Sequence, residues 1–225
     1  MSSAPDTATP ALRWYFDPIS PYAYLGWPAI RALKAQRPVE LVPVLFAGLL
    51  KHWGQKGPAE IEPKRVWTYR DCVWRAEQAG LPFRLPASHP FNSLPWLRLL
   101  VAAEASPQAV DTIFSLLWSR GADAADPALL HEACTTLAIA PERLADPAVK
   151  QHLQDQTAQA VAEGVFGVPS LQLPAPGGVG RGEIFWGSEA INFALACEAD
   201  PAKLDQGEYA RIAALPVGAR RPGSA

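Results

Sequence analysis

The stretch Leu12-Arg13-Trp14-Tyr15-Phe16-Asp17-Pro18-Ile19-Ser20-Pro21-Tyr22-Ala23-Tyr24-Leu25 sets the frame for the rest of the chain. Its first five residues are apolar and aromatic, the length and composition of a buried strand, and Asp17-Pro18 ends that strand. Ser20-Pro21 then reads as a helix start. A serine cap offers its oxygen to a first-turn N–H, and proline at the first helical position gives up a donor that would lack a partner anyway. Tyr24, Leu25, Pro28, Ile30 and Leu33 recur at near-helical spacing until Arg37-Pro38 stops the element. A second apolar strand over 40–45 closes a strand-helix-strand unit, which crosses over right-handedly into a parallel pair.

Between Gly48 and Gly164 the pattern turns helical, in segments separated by Pro and Gly, clearest over 64–79, 95–105, 109–119, 127–138 and 147–163. No strand signal interrupts them. After Gly164 the β character returns at 170–173 and 183–186. The turn-rich PAPGGVGRG between these runs predicts an antiparallel hairpin, and a last helix follows over about 188–198. The order β-α-β, helical block, β-β-α predicts an α/β protein with a thioredoxin-like fold and a large helical insertion. Its thioredoxin-like domain is discontinuous, 12–46 with 164–200, around an insertion of 47–163, with flexible tails at 1–11 and 216–225. Strands from both ends must pair in one sheet, so the chain is one folding unit.

Composition narrows the function. The net charge is −2 over 225 residues, with no basic patch, which argues against nucleic acid as a partner. The start, MSSAPDTATPAL, has neither a basic stretch nor an apolar run of about 7 to 15 residues, so a cytoplasmic location is expected. No segment approaches the roughly 18 uninterrupted apolar residues of a membrane span. Cys72, Cys134 and Cys197 are odd in number and far apart, which fits core residues and neither a disulfide framework nor a Cys-x-x-Cys pair. His52, His89, His131 and His152 lack metal-ligand spacing, and no metal is expected.

Four segments carry candidate chemistry. Ser20 stands where the first strand hands over to the first helix. A helix start holds about half a positive charge, worth about 0.3 to 1 kcal/mol to an anion and up to about 2 when partly buried. One pKa unit is about 1.4 kcal/mol, so this field plus a hydroxyl bond brings a thiol from about 8.5 towards 7. The plainer reading is that Ser20 only caps the helix. As a nucleophile it lacks both a Gly-x-Ser-x-Gly elbow and a sequence-evident histidine base. The second segment, Gly164-Val165-Phe166-Gly167-Val168-Pro169-Ser170, is either a plain turn or a loop shaped by a cis proline. In the third, Phe185-Trp186-Gly187-Ser188-Glu189, Ser188 either caps the last helix or joins exposed N–H groups in taking a carboxylate, with Glu189 open to an ammonium group. The fourth is the long irregular segment 47–65 after the second strand, including Phe46 at its edge, Gln55 and Lys64, a usual place for binding residues on a rigid scaffold. Downstream, Trp67, Tyr69, Trp74 and Phe91 either line a pocket or fill the core.

Phe16-Asp17-x-x-Ser20-Pro21-Tyr22, Pro63-Lys64-Arg65 with Tyr69-Arg70-Asp71, Gly164-Val165-Phe166-Gly167-Val168-Pro169, and Phe185-Trp186-Gly187, in this order, make the chain resemble the 2-hydroxychromene-2-carboxylate isomerases and kappa-class glutathione transferases. These share a DsbA-like fold, and the likeness covers about residues 12 to 200. It implies glutathione as cofactor and Ser20 as the catalytic residue that activates its thiol. It also implies that Val168 and Pro169 pair with the glutathione backbone, that Ser188 and Glu189 hold the γ-glutamyl end, and that Gln55 and Lys64 bind glutathione as well. Pro21, Tyr22, Phe46 and Trp186 are the candidate substrate pocket. The chain departs from the family in carrying Gln55 for a common Asn, Glu189 for a common Asp, and Ala190 where an Arg often follows the acid. The implied activity is isomerisation of a small unsaturated carboxylate, aromatic or not, through reversible thiol addition, with glutathione transfer and a redox-silent binding or chaperone module as alternatives. Ser20 and Ala23 stand where a disulfide oxidoreductase would carry its two cysteines. The resemblance also implies a homodimer.

Overall fold

Strand β1 (Leu12–Phe16) is buried at four of its five positions, as expected for a strand flanked on both edges and covered on both faces. In the computed structural model, which describes residues 11–175, 180–216 and 218, it lies between β2 (Val39–Pro43) and β3 (Ser170–Gln172). It pairs parallel with β2, Trp14 opposite Leu41, and antiparallel with β3, Trp14 opposite Leu171. β4 (Ile184–Trp186) pairs antiparallel with β3 and completes the order β2-β1-β3-β4. The parallel first pair and the antiparallel closing hairpin are both as the sequence predicts. The tails expected at 1–11 and 216–225 fall outside the described residues, apart from 11, 216 and 218, as does part of PAPGGVGRG.

Successive side chains of β1 point to opposite faces. Leu12, Trp14 and Phe16 enter the main core with α1 (Pro21–Lys34), and Trp14 stacks on Phe16 at 4.4 Å between ring centroids. Tyr15 enters a second, smaller cluster with Val42, Val44, Leu49, Ala160, Val165 and Val168. Truncating a buried aromatic such as Trp14 costs about 3 to 5 kcal/mol in cores of this kind.

Between β2 and β3 the chain forms α2 (Phe46–Trp53), α3 (Glu62–Ala79), α4 (Leu94–Ala102), α5 (Pro107–Phe114), α6 (Pro127–Thr136) and α7 (Pro147–Ala162). α8 (Ala190–Ala199) and α9 (Gly207–Ala213) follow β4. Asp126 and Asp146 cap α6 and α7 by accepting from Ala128 and Ala148 N–H, 2.8 Å each, and both helices carry proline in the first turn. α5 starts at Pro107, ahead of the 109 expected, because Ser106 caps it, and it runs on into a π-helical turn, Ser115–Ser119.

The segment read as irregular after β2 contains a helix, α2. Leu45, at its N-cap position, has no side chain to offer. The cap comes from elsewhere in the chain: Asp17 Oδ2 accepts from Phe46 N–H at 3.0 Å, and Thr157 Oγ1 from Leu45 N–H at 3.0 Å. A helix start satisfied by residues this distant leaves no local signature. Gly54 ends α2 in the left-handed region, φ 62°.

Gly121, at φ 66°, follows the π-helical turn, and a Cβ there would lie 2.7 Å from Arg84 Cβ and 2.8 Å from the Leu85 carbonyl oxygen. Gly80 has a similar φ of 62° and open space around it. Gly121→Ala is therefore expected to lower the unfolding free energy by more than about 2 kcal/mol, and Gly80→Ala by about 1 kcal/mol. Equal losses in urea unfolding would contradict the close packing at Gly121.

Candidate active site

The turn from β1 into α1 is held by side chains from far along the chain. The three carbonyls ahead of Ser20 each accept one hydrogen bond: Asp17 O from Ser20 N–H at 2.9 Å, Pro18 O from the buried Trp118 Nε1–H at 2.8 Å, and Ile19 O from His89 Nε2–H at 2.8 Å. Because a carbonyl only accepts, Nε2 of His89 carries the proton, and Nδ1 faces the Tyr69 hydroxyl at 2.8 Å. Burial lowers the pKa of His89, opposed by the bond to Ile19, so the ring stays neutral at pH 7.

Beneath this turn Asp17 is fully buried. Its Oδ1 accepts from Ile19 N–H at 3.0 Å, and its Oδ2 from Phe46 N–H and Ser93 Oγ–H, both at 3.0 Å. Burial pushes the carboxyl up to about 6, against the pull of these three donors. At neutral pH the ionised form prevails, the form that suits a site surrounded by donors.

Ser20 caps α1, with extended backbone (φ −86°, ψ 115°), and is itself nearly buried. Its Oγ accepts from Ala23 N–H at 3.3 Å and donates to the Val168 carbonyl at 3.4 Å. A 3.4 Å contact is long for a hydroxyl donor, so this proton is loosely held and available to a better acceptor. The Val168-Pro169 peptide is cis. No protein thiol serves the site. All three cysteines are buried, and burial drives the Cys72 thiol up to about 12, which keeps it protonated.

The loop facing Ser20 is tied in several places. Val165 O accepts from Trp53 Nε1–H at 2.9 Å, Gly167 O from Ser170 Oγ–H at 2.8 Å, and Pro169 O from Gly187 N–H at 2.9 Å. Trp186 lies over Gly167, where a Cβ would sit 2.7 Å from the indole nitrogen, and meets Phe166 edge-on at 5.6 Å. Trp53, Phe166 and Trp186 are all partly exposed, Trp186 at 59%. Of these three, only Trp186 is a pocket candidate on sequence motifs alone.

Within the first turn of α1, Tyr22 O–H donates to Asp71 at 2.8 Å, and Arg75 Nε–H donates to the same Asp71 oxygen at 2.7 Å. Arg75 also ion-pairs with Glu189 and lies 5.9 Å from the Tyr22 ring centroid. Burial, and next Asp71, raise the Tyr22 pKa, so the phenol stays protonated. Ser188 packs against Gly26, whose Cβ would lie 3.4 Å from Ser188 Cα. Ser188 does not cap α8: the cap position is Glu189, without a side-chain cap bond. Pro21 is buried at the first position of α1, and Phe46 is half-buried at the first position of α2. Gln55 and Lys64 are exposed, beyond the end of α2 and in the first turn of α3, and among the described residues no hydrogen bond or ion pair joins either side chain to Ser20.

A four-stranded mixed sheet, a helix starting at the end of its central strand and an X-Pro loop opposite that start define a thioredoxin-fold protein, here with serine at the helix start. The chain belongs to the DSBA-like thioredoxin domain family, whose model matches residues 11–196. It is 27% identical over 180 residues to glutathione S-transferase kappa 2 of Caenorhabditis elegans, covering 72% of this chain and 80% of that one. Over 201 residues it is 25% identical to the 2-hydroxychromene-2-carboxylate isomerase of Sphingobium xenophagum, covering 82% and 96%. The solved structure of a 2-hydroxychromene-2-carboxylate isomerase matches with a TM-score of 0.72 at 19% identity, over 87% of this chain and 98% of that one, which shows a shared fold.

An acid whose pKa rises on folding contributes stability that is full below its unfolded value, near 4, and lost as pH climbs through the folded value, about 6. Wild-type protein should therefore lose stability relative to Asp17→Asn between about pH 4 and pH 7. Parallel pH profiles in urea unfolding would show that Asp17 titrates as an ordinary carboxyl.

Proposed function

We propose that this chain is a glutathione-dependent enzyme in which Ser20 activates the glutathione thiol. The observation that carries the reading is the Ser20 hydroxyl at the start of α1, its proton in only a 3.4 Å contact with the Val168 carbonyl. Pro21 has no N–H and Ala23 N–H is held by Ser20, so the positive field at this point comes from the aligned peptide dipoles of α1. Ser20 can donate to a sulfur anion, while the helix start disfavours protonation of that sulfur.

In this reading the tripeptide extends from Ser20 towards both ends. The Val168 backbone would pair with its cysteinyl unit, Ser188 and Glu189 would hold the γ-glutamyl end, and Gln55 and Lys64 would take the glycyl side. Glu189 is engaged by Arg75 in the structure, so an incoming ammonium group would share or replace that partner. Glutathione supplies a thiol that adds to a conjugated double bond and leaves again once the bond has turned, with no net oxidation. Trp186, Phe166 and Trp53 give the acceptor an aromatic wall beside Val168, with Pro21, Tyr22 and Phe46 completing the candidate pocket.

The reading is isomerisation of a small unsaturated 2-oxo acid or chromene-type acid in the cytoplasm. Kappa-type transfer uses the same residues and differs in retaining the thioether, and the similarity to the kappa relative favours keeping it as the second reading. Recovery of free glutathione after turnover decides between the two.

Calorimetry tests the shared step. Near pH 7, glutathione binding to wild type should release protons, seen as a buffer-dependent enthalpy, and this release should vanish in Ser20→Ala and shrink near pH 5 for wild type. S-methylglutathione, which has no thiol proton, should bind both forms alike. Absence of glutathione binding to wild type would overturn the reading, and unfolded-peptide binding in its place would point to a redox-silent module.

A further inference from the structure

Helix α4 carries a single charge, Arg98, in an otherwise apolar run, with Trp96, Leu97, Leu99 and Leu100 fully buried around it. Arg98 is half-buried, its Nε is enclosed without a hydrogen-bond partner, and among the described residues its guanidinium has no ion pair. A charge taken out of water is normally paired, because the lost hydration has to be replaced. Arg37 also has enclosed nitrogens without partners, yet it is paired with Glu198. Arg98 has no such carboxylate. It lines a cavity of about 330 Å³ between α4, α6 and the 3-10 turn Pro141–Ala145. Leu130, Cys134 and Leu144 give this cavity its apolar body, with Pro127 and Pro141 beside them. Burial, and next the Glu142 charge, raise the Cys134 thiol pKa, so the sulfur stays protonated at pH 7 and supplies no counter-charge. Glu142 itself is exposed, and no ion pair joins it to Arg98.

We propose that this cavity is a second ligand site, separate from the Ser20 site, which takes a small monocarboxylate with an aromatic or branched alkyl body. The carboxylate meets Nε–H and one Nη–H of Arg98, a side-by-side pair of donors that matches two carboxylate oxygens. The apolar body lies among Leu130, Cys134 and Leu144. The size fits, since a cavity of about 150 Å³ holds benzene and this one has room for a ring and its carboxylate. Charge and walls together select the class. A neutral apolar ligand leaves the Arg98 Nε without a partner, and a bare inorganic anion leaves the leucines against water. A dicarboxylate brings a second charge against apolar walls. No lining residue is shared with the Ser20 site, so the cavity is independent of the glutathione reading.

Benzoate is the probe and benzamide its uncharged counterpart, each titrated into isotope-labelled protein without glutathione and followed by amide chemical shifts. Wild type should bind benzoate with a dissociation constant of about 1 mM or tighter, and benzamide about tenfold more weakly or worse. The shifted amides should gather at Arg98, Leu130, Cys134 and Leu144 and spare Ser20 and Val168. Arg98→Met keeps an apolar stem and removes the charge. It should weaken benzoate about tenfold or more and leave benzamide unchanged. Ala145→Trp places a large side chain at an exposed position on the cavity's rim and should weaken both probes, with circular dichroism confirming that each variant is folded. Benzoate bound no more tightly than benzamide, unchanged benzoate affinity in Arg98→Met, or shifts centred on Ser20 and Val168 would overturn the proposal.

Discussion

A buried carboxylate at the end of the central strand organises this molecule. Burial alone would strip Asp17 of its charge, and three donors from three segments oppose that: its own turn through Ile19, the start of α2 through Phe46, and the approach to α4 through Ser93. A lost partner would leave a buried polar group unsatisfied, at about 1 to 3 kcal/mol or more for a charged one. Asp17 thereby fixes the positions of those segments relative to one another. His89 and Trp118 add bonds to Ile19 and Pro18. The helices between β2 and β3 thus supply the framework that presents Ser20 to the loop before β3.

With the turn immobilised, elementary electrostatics accounts for what Ser20 can do. A partly buried helix start contributes up to about 2 kcal/mol to an anion, a little over one pKa unit for a thiol. A hydrogen bond to a charged acceptor contributes about 1.5 to 3 kcal/mol. With about 1 kcal/mol from the helix start and about 1.5 kcal/mol from the hydrogen bond, either term alone leaves an ordinary thiol mostly protonated at pH 7, and together, close to two pKa units, they bring it to the ionised side. The protein's own thiols are excluded by their depth, so the sulfur has to arrive with a ligand.

The sheet was legible because β1, its parallel partner and the closing hairpin are set by local composition and turn residues. Ser20 was legible as well, since Ser-Pro after an aromatic strand is a local signal. The residues that hold Ser20 were not. Asp17 was read as the end of a strand, His89 and Trp118 act on the turn from 70 and 100 residues away, and Ser93 gave no cap signal of its own. The same distance hid α2, whose first N–H groups are capped by Asp17 and Thr157. Ser188 shows the converse, a residue whose local pattern suggested a cap while tertiary packing set it against Gly26. Local rules describe residues that satisfy their neighbours, and this turn is satisfied by tertiary contacts.

The most direct test is an ultraviolet titration of the thiolate of enzyme-bound glutathione, following its absorbance against pH in wild type and in Ser20→Ala. In wild type the bound thiol should titrate about one to two units below the ordinary value near 8.5, with most of that depression lost in the variant. A bound thiol that titrates like the free one, or one equally depressed without the Ser20 hydroxyl, would contradict it.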